Sequence, residues 1–418
     1  MGRLTKQVVM GLSLVVFAYL GLGHVLLGGS PENPTYRSLG VFSEVLQHIQ
    51  QDWVEEPSLP MVTLGALHGL LEALDPYSSY MSPGEYGEYK KRTQNGAKGQ
   101  VGAVLSKRLG FVTVVSVLPN SPAQKAGLRH GDWLETLGGF STREMSVYQA
   151  YVLLGGEPGT SIRVSVVRRS RGEPQEVDIT RATIEPLRVL AEKLADGEGG
   201  GLAGYLRIYS LKPGRADEIR EKLSQFQREG IRKLVLDLRE CASGEVSEAV
   251  AVARLFLGSG KITTLRGQTV EAQEFSADGA KPVWTYPMVV LIAGSTSGAS
   301  EVLAAALAEN GRARTVGSRT FGSASEQKLF PLEDGAALFL TVAHYYTPSG
   351  KVILEEGITP GVEVVEQDDG SEPEETTQPA TSNDPVVKKA MEVLRGSGVS
   401  QSPRAALRKA RPAAPSPA

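Results

Sequence analysis

The stretch "LIAGSTSGASEVLAAALAENGRARTVGSRTFGSASEQ", residues 291–327, leads from an apolar strand through a turn of small residues into a helix. The strand begins upstream in "MVVLIAG" (288–294), and its consecutive apolar residues predict a strand buried on both faces. The helix is predicted over 299–308. A tight strand-to-helix turn is one arrangement that holds a serine nucleophile, so the residues that fill this turn bear directly on function.

Buried strands and amphipathic helices surround this turn on both sides. Strands are predicted in "AGYLRIYSL" (203–211) and "KLVLDLRE" (233–240), with a charged amphipathic helix between them over 214–230. A strand, a Glu-Asp-Gly turn and a second strand follow within 328–348. Alternation of this kind predicts a twisted sheet covered by helices, and the fold class is therefore a multidomain α/β protein.

Length and composition exclude several classes of protein. A chain of 418 residues with 41% hydrophobic residues predicts two or three domains. The net charge of −3, with both signs mixed along the chain, gives no indication of a nucleic-acid partner. The lone cysteine, Cys241, cannot form an intrachain disulfide. Zinc-binding and nucleotide-binding motifs are absent from the sequence, so no metal and no cofactor is predicted.

The N-terminus predicts a membrane anchor. Val8 to Leu27 are 20 residues without a charge, and at about 1.5 Å per residue they would span roughly 30 Å of hydrocarbon. Arg3 and Lys6 precede this run and favour a cytoplasmic N-terminus. The expected localisation is a single-pass protein of the inner (cytoplasmic) membrane with its bulk in the periplasm or exterior. The alternative is a cleaved signal peptide, although no clear small-x-small cleavage site follows.

Residues 98–182 form a segment of different character, rich in short β runs. Its string "VLPNSPAQKAGLRHGDWL" (117–134) resembles the "SPAxxAGLxxGD" pattern of PDZ domains, and "GQVGAV" (99–104) stands where those domains carry a Gly-hydrophobic-Gly loop. The resemblance implies that the backbone N–H groups of this loop bind a terminal carboxylate and that a peptide adds to the next strand. A purely structural lid is the alternative. The candidate peptide-binding residues are Gly99, Val101, Gly102 and Ala103.

The order of segments resembles that of the carboxyl-terminal processing proteases, also called tail-specific proteases. "LDPYSSYMSPGEY" (74–86) is similar to their "LDPHSxYM" stretch, and "LVLDLRE" (234–240) to their "LILDLRNNPGG" strand. "TVAHYYTPSGKVILEEGITPGVEV" (341–364) follows their "TxxRYYTPSGxxIxxxGIxPDxxV" segment nearly residue for residue. The resemblance covers about residues 36 to 395, and it implies a protease-like α/β core of the serine peptidase type.

Proteases of this family pair a serine nucleophile with a lysine general base. A neutral, desolvated lysine can take the proton of a weakly nucleophilic serine hydroxyl. The resemblance places the family nucleophile position at Gly298, three residues before Glu301, and the family base position at Ser323, directly after "TFG". Ser323 follows Gly298 by 25 residues, which is the family spacing, so both catalytic positions are predicted to be replaced. Glu309 and Gln327 stand where the resemblance places an aspartate and a glutamine.

The family's "NNPGG" loop, which frames an oxyanion site through backbone amides, reads Glu240, Cys241, Ala242, Ser243, Gly244 in this chain. The oxyanion-region candidates are Ser243 and Gly244, of which Gly244 alone fits the family pattern. A third segment of the catalytic machinery therefore also departs from the family.

Four other side-chain arrangements could replace the catalytic pair, and the sequence favours none of them. Ser297 and Ser300 flank Gly298, but a shift of one residue at such a turn is expected to point a side chain elsewhere. Thr296 stands at the centre of a G-x-S-x-G-like string, yet His344 is the one histidine downstream of it. A catalytic Cys241 would need a histidine partner, and Lys328 is expected to face solvent. These four possibilities are Ser297 or Ser300, a Thr296–His344 pair, Cys241, and Lys328 as base.

The sequence thus predicts a catalytically degenerate, membrane-anchored member of this family. It would bind protein C-termini or unfolded tails as an adaptor or regulator, and homo- or hetero-oligomers with active relatives are a further expectation. The alternative is an active periplasmic serine endopeptidase with relocated catalytic residues. The predicted segments are an N-terminal membrane anchor (1–30), an N-terminal helical segment (36–95), a PDZ domain (97–185), a protease-like α/β core (186–365), an acidic linker (366–383), a docked C-terminal helix (384–396) and a disordered tail (397–418).

Overall fold

The computed structural model describes residues 34–95, 98–108, 110–168, 172–197, 201–364 and 383–396. Its contacts divide the chain into two compact units, Met1–Ala66 and Leu67–Ala418. The helices of the described residues are α1 (Pro34–Asp52), α2 (Leu59–Glu72), α3 (Pro83–Asn95), α4 (Pro122–Lys125), α5 (Val147–Leu154), α6 (Arg215–Arg228), α7 (Val246–Arg254), α8 (Ala299–Glu309) and α9 (Pro385–Gly396), with a 3-10 turn at Thr142–Glu144.

The strands form three sheets in the second unit. They are β1 (Ser79–Met81), β2 (Ala103–Arg108), β3 (Phe111–Val117), β4 (Trp133–Leu137), β5 (Phe140–Ser141), β6 (Ser161–Val167), β7 (Pro174–Thr180), β8 (Leu190–Ala195), β9 (Leu202–Arg207), β10 (Leu234–Asp237), β11 (Lys261–Arg266), β12 (Gln273–Ser276), β13 (Met288–Ile292), β14 (Arg314–Gly317), β15 (Ser325–Pro331), β16 (Ala337–Tyr346) and β17 (Val362–Glu363).

The described residues of the first unit, 34–66, are mostly helical, and several of their large apolar side chains are exposed. Helix α1 has the apolar spacing that the sequence shows, but Leu39, Phe42 and Val45 are 56%, 43% and 50% exposed. Of the described residues, no helix is both long enough and apolar enough to cross a membrane. The N-terminal transmembrane helix in the sequence-based fold class is therefore a wrong prediction, and the inner-membrane localisation that depended on it is corrected with it. The apolar run from Val8 to Leu27 lies outside the described residues.

The small β domain is built around a sheet in the order β2-β3-β4-β6-β7, with β5 beside β4. The short helix α4 begins as its sequence predicts: the Ser121 hydroxyl accepts from the Gln124 N–H (3.2 Å), and Pro122 occupies the first turn. Gly127, with φ of 80°, follows the helix in the left-handed conformation. Strand β2 lies at the edge of this sheet, and helix α5 packs beside it.

The central sheet of the α/β core has the order β17-β14-β13-β10-β9-β8. Within this sheet β9, β10, β13, β14 and β17 run parallel to one another, and β8 pairs antiparallel to β9. Strands β10 and β13 are buried along their whole length, as their continuous apolar runs predict. Helices α6, α7 and α8 contribute to one apolar layer, and α9 packs Val387, Ala390 and Leu394 into the other. The turn that follows β13 therefore lies at the carboxyl edge of a buried parallel sheet.

A second, antiparallel sheet has the order β1-β16-β11-β12, and β15 pairs with β16 as the hairpin expected from the sequence. Strand β1 carries the "SYM" of the 74–86 stretch, and Ser79 pairs with Phe339. This pairing fixes the segment before it, including Tyr77, next to the core. Because β15 begins two residues after Ser323, the same sheet also fixes the loop that contains Ser323.

Candidate functional site

The candidate site lies where β10 and β13, which are neighbours in the sheet, end at the same edge. The Thr296 hydroxyl donates to the Leu238 carbonyl (3.0 Å) and accepts from the Ala293 N–H (3.0 Å). The Ser297 N–H donates to the Ser300 hydroxyl (3.1 Å), and the side chain of Thr296 has no exposed surface. The turn after β13 is thus tied to the loop after β10, and Thr296 and Ser300 are structural residues of that turn.

Gly298 adopts φ of 67° and ψ of −121°, a conformation that favours glycine, at the point where helix α8 begins. A Cβ atom built on Gly298 would lie 3.6 Å from the Ser323 Oγ, which is ordinary van der Waals contact. The two positions that the sequence comparison pairs, separated by 25 residues, are therefore brought face to face. A side chain at position 298 would point directly at the side chain of position 323.

The buried Glu301 carboxylate connects these two positions through hydrogen bonds. Its Oε2 accepts from the Gly298 N–H (2.8 Å) and the Ser323 N–H (2.8 Å), while its Oε1 accepts from the Gly322 N–H (2.6 Å) and the Thr320 hydroxyl (2.5 Å). Burial raises the pKa of the Glu301 carboxyl above its usual range, and these four donors act in the opposite direction. All four hydrogen bonds belong to the frame of the site, so Glu301 is a positioning group.

The Ser297 hydroxyl lies 2.5 Å from the Ser323 hydroxyl. The expectation that a serine next to position 298 would point elsewhere is thus wrong for Ser297, whose hydroxyl reaches that of Ser323. Tyr77 lies beside this pair, with its hydroxyl facing those of Ser106 and Ser323. Burial raises the pKa of Tyr77 to about 12, so Tyr77 is a neutral phenol at physiological pH.

The residues around the Ser297–Ser323 pair supply hydroxyl groups, and hydroxyl groups are poor bases near neutral pH. The nearest carboxylate, that of Glu301, already accepts from one side-chain hydroxyl and three backbone N–H groups. Cys241 has no exposed surface, and burial raises the pKa of its thiol to about 12. A thiol of that pKa has almost no thiolate at neutral pH, so Cys241 is an inert buried residue.

The loop after β10 reaches the turn through Cys241, whose carbonyl accepts from the Ser297 N–H (3.1 Å). The Ser243 carbonyl accepts from the Leu211 N–H (2.8 Å), so the Gly244 N–H points away from Leu211 across the same peptide plane. A Cβ atom on Gly244 would lie 2.3 Å from the Leu211 backbone, and this close approach requires glycine. Ser243 and Gly244 thus have a fixed backbone against Leu211.

The remaining sequence candidates lie away from the pair of serines. Glu309, at the far end of α8, accepts from the Ser349 N–H (2.7 Å) and holds a turn. Gln327 and Lys328 are exposed on β15, where the Lys328 ammonium lies 5.5 Å from the centre of the Phe330 ring. His344 lies within β16, and its backbone pairs with Ser325. These contacts are structural, and they do not bring the Thr296 hydroxyl and His344 together.

A cleft of about 1000 Å³ adjoins the serine pair and is bounded partly by the β domain. Arg108 on β2 donates to the Phe321 carbonyl (2.8 Å), and its guanidinium lies 4.2 Å from the centre of the Phe321 ring. The Ser116 hydroxyl donates to the Glu240 carbonyl (3.0 Å). These long-range contacts place the β domain over the carboxyl edge of the core sheet, and no local sequence signal could have identified them.

The second candidate site is the loop of residues 99–103 in the β domain. The Val101 carbonyl accepts from the Ala123 N–H and the Gly102 carbonyl from the Leu118 N–H, each at 2.8 Å. Because each peptide unit is planar and trans, the N–H groups of Gly102 and Ala103 point the opposite way, toward the groove. Gly102 has φ of 82°, and a Cβ atom there would lie 2.3 Å from the Ser121 Cβ.

The groove beyond this loop has a volume of about 370 Å³. Gln100 to Ala103 line one side of it, and helix α5 supplies Tyr148, Tyr151, Val152 and Leu154 on the other. Gly99 lies just before the loop, where its N–H donates to the Gly156 carbonyl (2.9 Å). The structure therefore brings Val101, Gly102 and Ala103 to the groove and gives Gly99 a structural role at its base.

Comparisons with known proteins match both parts of this architecture. A PDZ domain family model matches residues 113–168, and a model of peptidase family S41 matches residues 203–364. The carboxy-terminal-processing protease of Bartonella bacilliformis is 31% identical over 80% of this chain and 77% of its own. The carboxyl-terminal-processing protease of Picosynechococcus sp. is 34% identical over 73% of this chain and 72% of its own.

A solved structure agrees with these relatives. The photosystem II D1 C-terminal processing protease superposes with a TM-score of 0.66 at 27% identity, covering 76% of this chain and 85% of its own. The fold and site define a PDZ-containing peptidase architecture of the serine type. The chain belongs to the carboxyl-terminal processing protease family, peptidase family S41, which confirms the resemblance seen in its sequence.

Proposed function

We propose that this chain binds the C-terminal tails of other proteins without cleaving them, as a catalytically degenerate member of its family. The observation that carries the proposal is the juxtaposition of Gly298 and Ser323 in a preserved frame. If these are the nucleophile and base positions of the family, as the sequence spacing predicts, the chain has neither a hydroxyl at the first nor an amine at the second.

The surrounding hydrogen bonds support this proposal because the frame is otherwise intact. Glu301 accepts from the backbone on both sides of the missing pair, at Gly298 and at Ser323. In this proposal the two side chains, and not a collapsed frame, account for the absence of cleavage. The sequence of the loop at residues 240–244, which differs from the family pattern, is a second departure close to the same turn.

Tail binding is proposed for the groove of the PDZ domain. The N–H groups of Gly102 and Ala103 point into it and provide two donors for a terminal carboxylate. The apolar lining from Val101, Val152 and Leu154 suits an aliphatic terminal side chain. As an adaptor or regulator, such a protein would hold tails for itself or for an active relative, and the relatives compared above are named as proteases.

A specific observation supports a second candidate, an active serine peptidase that uses Ser297. Its hydroxyl lies 2.5 Å from the Ser323 hydroxyl, in the place where a base would stand. This candidate is the weaker one because Ser323 cannot accept the proton at neutral pH, and Tyr77 is a neutral phenol. The two candidates differ in whether any serine of the site is activated.

A fluorophosphonate probe distinguishes them, since it labels activated serines. The full chain is expected to remain unlabelled and to leave an unfolded protein substrate uncut during prolonged incubation. An active family member serves as the positive control, and Ser297→Ala serves as the matched variant. Labelling of the wild-type chain that disappears in Ser297→Ala would overturn the proposal and establish the second candidate.

A further inference from the structure

Tyr151 lies in the peptide groove with its hydroxyl against the edge strand. Strand β2 is the outer strand of the PDZ sheet, so one side of its backbone faces the groove. The Leu105 N–H, on that side, donates to the Tyr151 hydroxyl oxygen at 2.7 Å. A side chain of helix α5 therefore already satisfies a backbone donor that strand addition would use.

The position of this donor in the strand determines which part of a peptide it would meet. An added antiparallel strand exchanges hydrogen bonds with every second residue of its neighbour. With the terminal carboxylate on the N–H groups of Gly102 and Ala103, the last peptide residue lies opposite Ala103. The Leu105 N–H then meets the third residue from the C-terminus, whose carbonyl would compete with the Tyr151 hydroxyl.

We infer that Tyr151 is a specificity-determining residue that limits strand addition to the last two residues of a bound tail. This inference rests on the proposed binding of C-terminal tails. In the groove without a peptide, the N–H groups of Gly102 and Ala103 are available to a terminal carboxylate, and the apolar lining is available to the terminal side chain. The third residue gains a backbone hydrogen bond only by breaking the one between Leu105 and Tyr151, and the exchange brings little net free energy.

The surroundings of Tyr151 hold the hydroxyl in place. Helix α5 begins with a capping box in which Ser146 and Gln149 bond each other's backbone N–H groups. On the same helix, the ring of Tyr148 lies 4.8 Å from that of Tyr89 on α3, and Tyr89 contacts Phe339 of the core at 5.7 Å. The helix that carries Tyr151 is thus fixed at its start and along its outer face.

The Tyr151 residue is 40% exposed, but its hydroxyl end is turned away from water against the Leu105 N–H, and this desolvation raises the pKa of the side chain to about 12 and keeps the hydroxyl neutral. The hydroxyl therefore remains in the same protonation state throughout the physiological range. Tail selection by this residue is expected to be independent of pH between about pH 6 and 9.

The test uses the full chain and two ligands with uncharged N-termini and free carboxylates, propionyl-valine and an acetylated six-residue peptide of five alanines ending in valine. Propionyl-valine lacks the carbonyl of the third residue from the C-terminus, whereas the six-residue peptide supplies it. Binding is measured by calorimetry for the wild type, for Tyr151→Phe, and for Tyr345→Phe, a control that removes a tyrosine hydroxyl bonded to Glu326 in the antiparallel sheet (3.1 Å). In the wild type the two affinities should agree within about threefold. Tyr151→Phe frees the Leu105 N–H, so the six-residue peptide should bind about fivefold more tightly while the affinity for propionyl-valine is unchanged. Tyr345→Phe should leave this comparison as in the wild type.

A six-residue peptide that binds the wild type tenfold more tightly than propionyl-valine, with the same ratio in Tyr151→Phe, would overturn the inference while leaving tail binding intact. Failure of tail binding has a different signature: amidated peptides would then bind as well as the free acids. Amide hydrogen exchange gives an independent readout, because residues 103–108 should exchange faster in unliganded Tyr151→Phe than in the wild type. Unchanged exchange there would also contradict the inference.

Discussion

At the scale of single residues, the site is organised by one buried carboxylate. Glu301 accepts from the backbone N–H groups of Gly298, Gly322 and Ser323, and these contacts do not depend on which side chains positions 298 and 323 carry. The backbone of this turn is therefore held independently of those two side chains. Under the proposed function, this separation is how the chain would keep the fold of its family without a catalytic pair.

Replacing Glu301 by glutamine is expected to destabilise the protein. The NH₂ group of the new glutamine is a donor and would face the N–H donors that now bind a carboxylate oxygen. Because these hydrogen bonds would be lost, the free energy of unfolding should fall by about 2–4 kcal/mol. Glu309→Gln, at the exposed end of the same helix, is the control and should cost less than about 1 kcal/mol. Urea denaturation measures both. Equal losses in the two variants would show that Glu301 does not hold the turn.

Counting along the chain from Glu301 and from the "TFG" segment singled out Gly298 and Ser323, and the structure places these two positions face to face. That they are the nucleophile and base positions of the family stays a prediction. The contact between Ser297 and Ser323 was missed because it depends on the φ and ψ of a single glycine. Tyr77 was missed as well, since only the pairing of β1 with β16 fixes the segment that contains it.

At the scale of elements, the C-terminal helix α9 is joined to the core by packing and by charge. Val386, Val387, Met391 and Leu394 are buried against the layer formed by β9, β10 and β13. At the start of the helix, Asp384 pairs with Arg239 at 2.7 Å, and Arg239 also binds the buried Asp237. The helix was predicted from its own amphipathic spacing, whereas the ion pair joins residues too distant in sequence for such a prediction.

Leu394→Ala tests the docking of this helix. The side chain is 1% exposed, and its removal should lower the free energy of unfolding by about 2–4 kcal/mol through lost burial and the cavity left behind. Lys388→Ala, on the exposed face of the same helix, should change it by less than about 0.5 kcal/mol. Hydrogen exchange should also accelerate in residues 385–396 of Leu394→Ala. An undiminished protection of the helix would show that Leu394 is not one of its anchors.

At the scale of the whole molecule, the second unit joins the groove of the PDZ domain to the carboxyl edge of the core sheet. Arg108 and Ser116 connect the PDZ domain to Phe321 and Glu240, in the segments on either side of that edge. The order of domains was predictable from three sequence motifs, but the contacts between domains were not, because they join residues more than 100 positions apart. The membrane-spanning helix was a wrong prediction of another kind. It was inferred from composition alone, and no helix among the described residues is long and apolar enough to cross a membrane.

The most direct measurement of the central claim follows one C-terminal peptide through binding and incubation with the full chain. A peptide of about twenty residues ending in valine is bound at a measured saturation, and its mass is then recorded over many hours. We expect saturable binding that Gly102→Trp abolishes, since a Cβ atom at position 102 would lie 2.3 Å from the Ser121 Cβ and the new side chain would displace the loop, together with a peptide of unchanged mass. Loss of mass from the bound peptide in wild-type chain, absent in Ser297→Ala, would contradict the account.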